Sequence, residues 1–219
     1  MFKVFAKITL FSFCLLGCFN FGVPLEILEE EKNIYMGKLR HLTTQGLYLT
    51  VFTLITGQLL ERGLVFLNQF HATMLVITLP LEFLILLMYW TLYIYDPKTL
   101  YPAEFYDKNI RTTHFGNLCV HFFPFIALLL EAKEKDLKKK YYHYIIILFF
   151  SFKYFAMSHL FFYYNGFFPY PFLNVLSFLQ RICLFLGATL LFLILYETIF
   201  LLKGNPIENE ENKRIIKIK

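Results

Sequence analysis

Charge is scarce in this chain. Only 17% of its 219 residues are Asp, Glu, Lys or Arg, against roughly 25% in an average soluble domain. The few charges are also bunched. Between His41 and Tyr95 there are three, Glu61, Arg62 and Glu82; residues 112–130 have none, 145–180 only Lys153, and 182–202 only Glu197. The longest polar pieces left over are residues 22–40, 96–111 and 203–219. None approaches the roughly 50 residues of a small domain. A soluble enzyme domain is therefore excluded, and any active site must be built from the apolar segments and their short loops.

Other absences narrow the reading further. The four cysteines, Cys14, Cys18, Cys119 and Cys183, lie in apolar stretches with no CxxC and no metal-like spacing, so a zinc module is excluded and reduced, packed thiols are expected. No A-x-A-like cleavage site follows the first apolar stretch, where Cys18, Phe19, Asn20 and Phe21 stand instead, and a retained anchor is expected. There is no internal repeat and no low-complexity linker. The net charge of +5 gathers in residues 133–140 and in the C-terminal tail, where membrane proteins carry basic residues, so it does not suggest nucleic acid.

What is abundant is apolar. Hydrophobic residues make up 58% of the chain, with 28 Phe and 15 Tyr. A bilayer-spanning helix takes roughly 20 mostly apolar residues. Six such stretches are present, at about 4–21, 40–60, 71–95, 113–130, 142–164 and 175–202. The expected fold is an all-α membrane protein of six transmembrane helices in a single domain over residues 1–219, multi-pass in the plasma membrane or the endomembrane system. Lys and Arg number 13 in the N-terminus, second loop, fourth loop and tail, and 6 in the other three loops, so the bias places both termini in the cytoplasm. Pro124 inside the fourth span is tolerable, because neighbouring helices can satisfy a freed carbonyl.

Two helix faces carry polar groups. Thr43, Gly46, Thr50, Thr53 and Gly57 are spaced 3, 4, 3 and 4, a stripe that lets membrane helices approach closely. Thr43 differs from the rest in lying about one turn from the outer boundary, beside Lys38, Arg40 and His41. In span four, His114, Asn117 and His121 share one face, and polar groups inside a membrane tend to mark sites because they are costly there. With the outer boundary near Arg40 and Thr113, a rise of about 1.5 Å per residue sets Thr43 ~5 Å, His159 ~8 Å and His121 ~12 Å below it. A hydroxyl and imidazoles thus converge in the outer half of the bundle, the minimum for nucleophilic ester cleavage with a histidine base. Glu82 and Lys153 each fall roughly 16 Å from the cytoplasmic face, where a lone charge costs about 2.5–3.5 kcal/mol; they are expected to pair or to share a polar pocket.

Several motifs line up in order along residues 38–200. Lys38-Leu39-Arg40-His41-Leu42-Thr43 resembles the G-x-W-K-[FY]-[LM]-T opening of the androgen-induced gene family. Pro80, then Tyr89-Trp90 through Asp96, then Tyr101-Pro102, is similar to that family's third span and exit. Asn117, His121, Pro124 and Glu131 resemble its fourth span, and Gly166 with Tyr170-Pro171-Phe172-Leu173 its T-G-x-W-V-Y-P-F-L turn. Glu197 after Leu195-Tyr196 is similar to its last landmark.

The resemblance implies six spans and a hydrolase of fatty acid esters of hydroxy fatty acids, with a threonine nucleophile and a histidine base; no cofactor or metal is expected. The threonine carries over to Thr43, not Thr44. The histidine depends on the anchor: Asn117 gives His121 and Pro124 gives Cys119, while Leu118 stands at the family's first histidine. His121 is preferred, since an ordinary thiol is a poor base near neutral pH. Asn117, His114 and His159 are possible supporting groups. Arg40 and Lys38 are candidates to hold a substrate's free carboxylate. Two alternatives stand beside this reading: a non-catalytic membrane regulator of the same fold, and a haem protein using His71, His121 or His159.

Overall fold

The computed structural model describes residues 2–203, so the tail's basic residues from Gly204 onwards, counted in the charge bias, lie outside it. The described residues are helical with no strand. The long segments are α1 (Phe2–Cys18), α3 (Leu42–Glu61), α4 (Asn68–Tyr95), the pair α6 (His114–His121) and α7 (Phe123–Lys133), α8 (Tyr141–Asn165) and α10 (Phe178–Lys203). Short helices α2 (Leu25–Lys32), α5 (Ala103–Asp107) and α9 (Pro171–Asn174) sit in the connections. Four segments, Val65–Tyr95, His114–Lys133, Tyr141–Asn165 and Phe178–Leu202, are long and apolar enough to cross a bilayer, which marks an integral membrane protein. The other two expected spans differ for readable reasons. The described α1 has 17 residues, and α3 carries five threonines and two glutamines.

Helix α4 is the centre of the bundle, packed against α3, α7, α8 and α10. Residues 75–82 are buried without a break, as expected of a helix enclosed on all sides. Outward faces stay apolar: Leu148, Phe149 and Phe152 on α8, and Leu186, Leu190 and Ile194 on α10, are exposed. The polar stripe of α3 is a packing seam. A Cβ on Gly46 would come 2.5 Å from Ile85 and 2.7 Å from the Glu82 carboxyl. Thr50 donates to Glu82 at 2.9 Å, and Thr53 donates to its own backbone at Leu49, 2.7 Å away.

The expected Glu82–Lys153 pair is not formed. Glu82 is fully buried behind α3 with Thr50 as donor, whereas Lys153 is exposed on α8 and donates to Gln45 at 3.3 Å. Its long stem carries the ammonium away from the helix to a polar partner.

Span four is also not one helix. It breaks at Phe122 (φ −122°, ψ −54°) and restarts with Pro124 in its first turn. Proline has no N–H for the carbonyl four residues back and clashes with it, so the helix ends at His121.

One end of the bundle, where α1 begins, is closed by charge. Lys7 reaches Glu134 at 2.6 Å, Glu131 at 3.0 Å and Glu61 at 3.2 Å, and Glu131 faces His71 at 3.3 Å. Thr73 and Tyr142 meet there at 2.9 Å, tying the starts of α4 and α8. The opposite end gathers α2, α5, α9 and the ends of the long helices around a cavity.

Candidate active site

The start of α3 sets the geometry. A 3-10 turn over Gly37–Arg40 is entered through Met36 at φ +67° and ends at His41, whose side chain does not cap the helix. The first N–H of α3 is taken instead by a tyrosine from far along the chain. Leu42 N–H donates to the Tyr170 hydroxyl at 3.2 Å, and the side chains of Thr43 and Tyr154 neighbour the same phenol. Tyr154 in turn donates to the Arg40 carbonyl at 3.2 Å. Tyr170 is held by its turn: Gly166 ends α8 at φ +78°, Asn174 Oδ1 accepts from Phe168 N–H at 2.9 Å, and Arg181 donates to the Leu173 and Leu176 carbonyls. Burial pushes the phenol pKa above its ordinary value, so Tyr170 is protonated and a donor at neutral pH.

The broken fourth span supplies the opposite wall. Thr113 caps α6 by accepting from Gly116 N–H at 3.1 Å. Asn117 and His121 follow one turn apart and both are buried. The His121 ring stacks on Tyr89, with centroids 3.4 Å apart and planes 8° from parallel. Its Nδ1 is buried with no hydrogen-bond partner.

Between these walls lies a cavity of about 590 Å³, lined by Arg40, His41, Thr43, Thr44, Asn117 and His121 among others. A second, apolar cavity of about 100 Å³ runs between α3, α4, α8 and α10, walled by Leu81, Ile85, Met88, Phe150, Phe185 and Phe192. Thr43, Tyr89, Leu100 and Tyr170 line both. A molecule with a polar part and an aliphatic part can therefore place the junction between them at the Thr43 hydroxyl.

The other sequence candidates are placed as follows. Arg40 is buried and lines the larger cavity; its Nε donates to His41 Nε2 at 2.9 Å and its Nη1 has no partner. Lys38 also lines that cavity, but its ammonium donates to the Cys18 carbonyl at 2.8 Å and to Asn20 at 3.1 Å, the place where a cation complements the end of α1. His114 is exposed, and His159 bonds the Phe155 carbonyl of its own helix at 3.0 Å. Neither lines a cavity described here. His71, with Thr56 and Glu131 around it, His121 against Tyr89 and His159 among phenylalanines occupy three separate environments, which do not form a paired haem site.

Tyr170, Tyr154, Tyr89 and His41 were missed as site residues by sequence reasoning. Tyr89 and Tyr170 were visible as motif landmarks, yet nothing in spacing joins residue 170 to residue 43. Glu31, on α2, is a further wall residue, 4.0 Å from His41; burial raises its carboxyl pKa against the pull of Arg40 and Lys38.

Among known families, the one described as FAR-17a/AIG1-like protein matches the chain over residues 4–204. No curated protein and no solved structure matches the chain.

Proposed function

The chain belongs to the FAR-17a/AIG1-like family, and from that membership together with the paired cavities we propose that it is an integral-membrane hydrolase of lipid esters. Its substrates are fatty acid esters of hydroxy fatty acids, drawn from the bilayer. Six spans in one domain, with both termini in the cytoplasm, put the cavity in the outer half of the membrane. The observation that carries the reading is the position of Thr43, which lines both the polar cavity with His121 and the apolar cavity.

The chemistry follows from those positions. The ester carbonyl sits at Thr43, with one aliphatic chain in the apolar cavity. Thr43 Oγ attacks the acyl carbon while its proton passes to His121, and His121 then protonates the departing alcohol. Water repeats the sequence on the threonyl ester. In a ligand-free state such hydrogen bonds are often longer than in the reacting complex. Arg40, with a free guanidinium nitrogen at the wall, holds the substrate's carboxylate, a planar group that a guanidinium binds through paired donors. Asn117 assists His121 from one turn away.

Purified protein in detergent or nanodiscs, supplied with such an ester, tests the reading. Thr43→Ala and His121→Ala should each lower kcat by at least about a thousandfold, and the double variant should be no worse than either, since the two act as a unit. A second reading has its own support: Leu118 in place of the family's first histidine, and an imidazole whose Nδ1 has no orienting partner, both fit a non-catalytic regulator. In that case the wild type shows no turnover.

A further inference from the structure

We propose that the Tyr170 hydroxyl is the oxyanion donor of this site, giving a hydrogen bond to the ester carbonyl oxygen as Thr43 attacks. The proposal rests on the hydrolase reading and deepens it. Three observations carry it. First, the Thr43 side chain and the phenol are neighbours, the phenol sitting on the N–H of the residue before Thr43, which brings it near the carbon that Thr43 attacks. Second, Tyr170 lines both cavities, at the junction where the carbonyl must lie. Third, its oxygen accepts from Leu42 N–H at 3.2 Å, the first N–H of a 20-residue helix. The positive end of that helix polarises the phenol and makes its O–H a stronger donor. Tyr154 sends its own proton to the Arg40 carbonyl and so leaves the Tyr170 oxygen to the Leu42 N–H.

The step balances within the groups already named. The Oγ–C bond forms as the Thr43 proton moves to His121, and the carbonyl π pair moves onto oxygen, where Tyr170 holds it. When the C=O bond re-forms, the bond to the alkyl oxygen breaks and His121 returns the proton to that oxygen. Tyr170 keeps its proton throughout. Removing one such donor costs about 10²–10³ in kcat.

A merely structural role is distinct, because the same phenol caps α3. Hydrolysis of a fatty acid ester of a hydroxy fatty acid by full-length protein in nanodiscs separates the two. Tyr170→Phe should lower kcat at least about a hundredfold with KM changed less than about threefold. Placing 2,3-difluorotyrosine at position 170 gives a readout that does not depend on the phenylalanine variant folding. Fluorination acidifies the phenol, so the alkaline limb of the kcat profile should move to lower pH, because an ionised phenol donates nothing. If Tyr170→Phe keeps kcat within threefold, or the alkaline limb stays in place, Tyr170 is only a cap and the proposal is overturned. If Thr43→Ala also retains activity, the assignment of Thr43 as nucleophile falls with it, and if the wild type shows no turnover the hydrolase reading falls.

Discussion

At the scale of single residues, two threonines stand side by side at the start of α3 and are not equivalent. Thr43 lines both cavities, Thr44 only the larger, and a step of one residue turns a side chain by about 100° round the helix. Thr44→Ala should keep hydrolysis within about threefold, and Cys119→Ala should do the same, since Cys119 is buried against α1 and lines neither cavity. Activity lost on Cys119→Ala but kept on His121→Ala would move the base to the other anchor of the motif. Arg40 gives a sharper split. Arg40→Gln should raise KM about tenfold or more for an ester with a free carboxylate, a loss of about 1.4 kcal/mol, and leave the methylated form of that ester unaffected. Equal effects on both forms would return Arg40 to a structural role. Thr43, Arg40 and His121, which line one cavity, were legible as candidates because each stands in a motif or on a polar face. Lys38 stands in the same motif and is spent on the end of α1, which a sequence cannot display because residues 18 and 38 meet only in the fold.

At the scale of elements, the stripe on α3 shows what periodicity reveals and what it hides. Spacing of 3, 4, 3 and 4 identified a close-packed face, and the close approach at Gly46 bears that out. Gly46→Ala should lower the thermal stability of the solubilised protein by about 1–3 kcal/mol, the range for overpacking. Its neighbours Ile85 and Glu82 are themselves buried and have little room to give way. Thr50→Val removes the donor to buried Glu82, and leaving such a group unsatisfied costs about 1–3 kcal/mol; Glu82→Leu added to it should recover most of that. An unchanged unfolding midpoint in Thr50→Val would mean that the carboxyl finds another partner. The Glu82–Lys153 pair failed because equal depth says nothing about azimuth: residue 82 faces inward and residue 153 outward. Pro124 was visible, but its consequence, a helix ending at His121, depends on where the chain chooses to break.

At the scale of the whole molecule, the two ends of the bundle do different work. One is locked by Lys7 among three carboxylates, and the other holds the cavities. Because Glu131 is buried, Lys7→Met should lower the midpoint of thermal unfolding and Lys7→Arg should restore most of it; equal midpoints for wild type and Lys7→Met would show the cluster to be idle. The proposed topology expects thiol reagents added outside to label Asn174→Cys in the turn after α8 and to miss Lys203→Cys. The central claim is that Thr43 is a nucleophile, and the most direct measurement is the site of covalent capture. A fluorophosphonate probe applied to the full chain in membranes, followed by peptide mass analysis, should place its adduct on Thr43, with no adduct in Thr43→Ala and much slower capture in His121→Ala. Undiminished labelling of Thr43→Ala, or an adduct on another residue, would contradict the account.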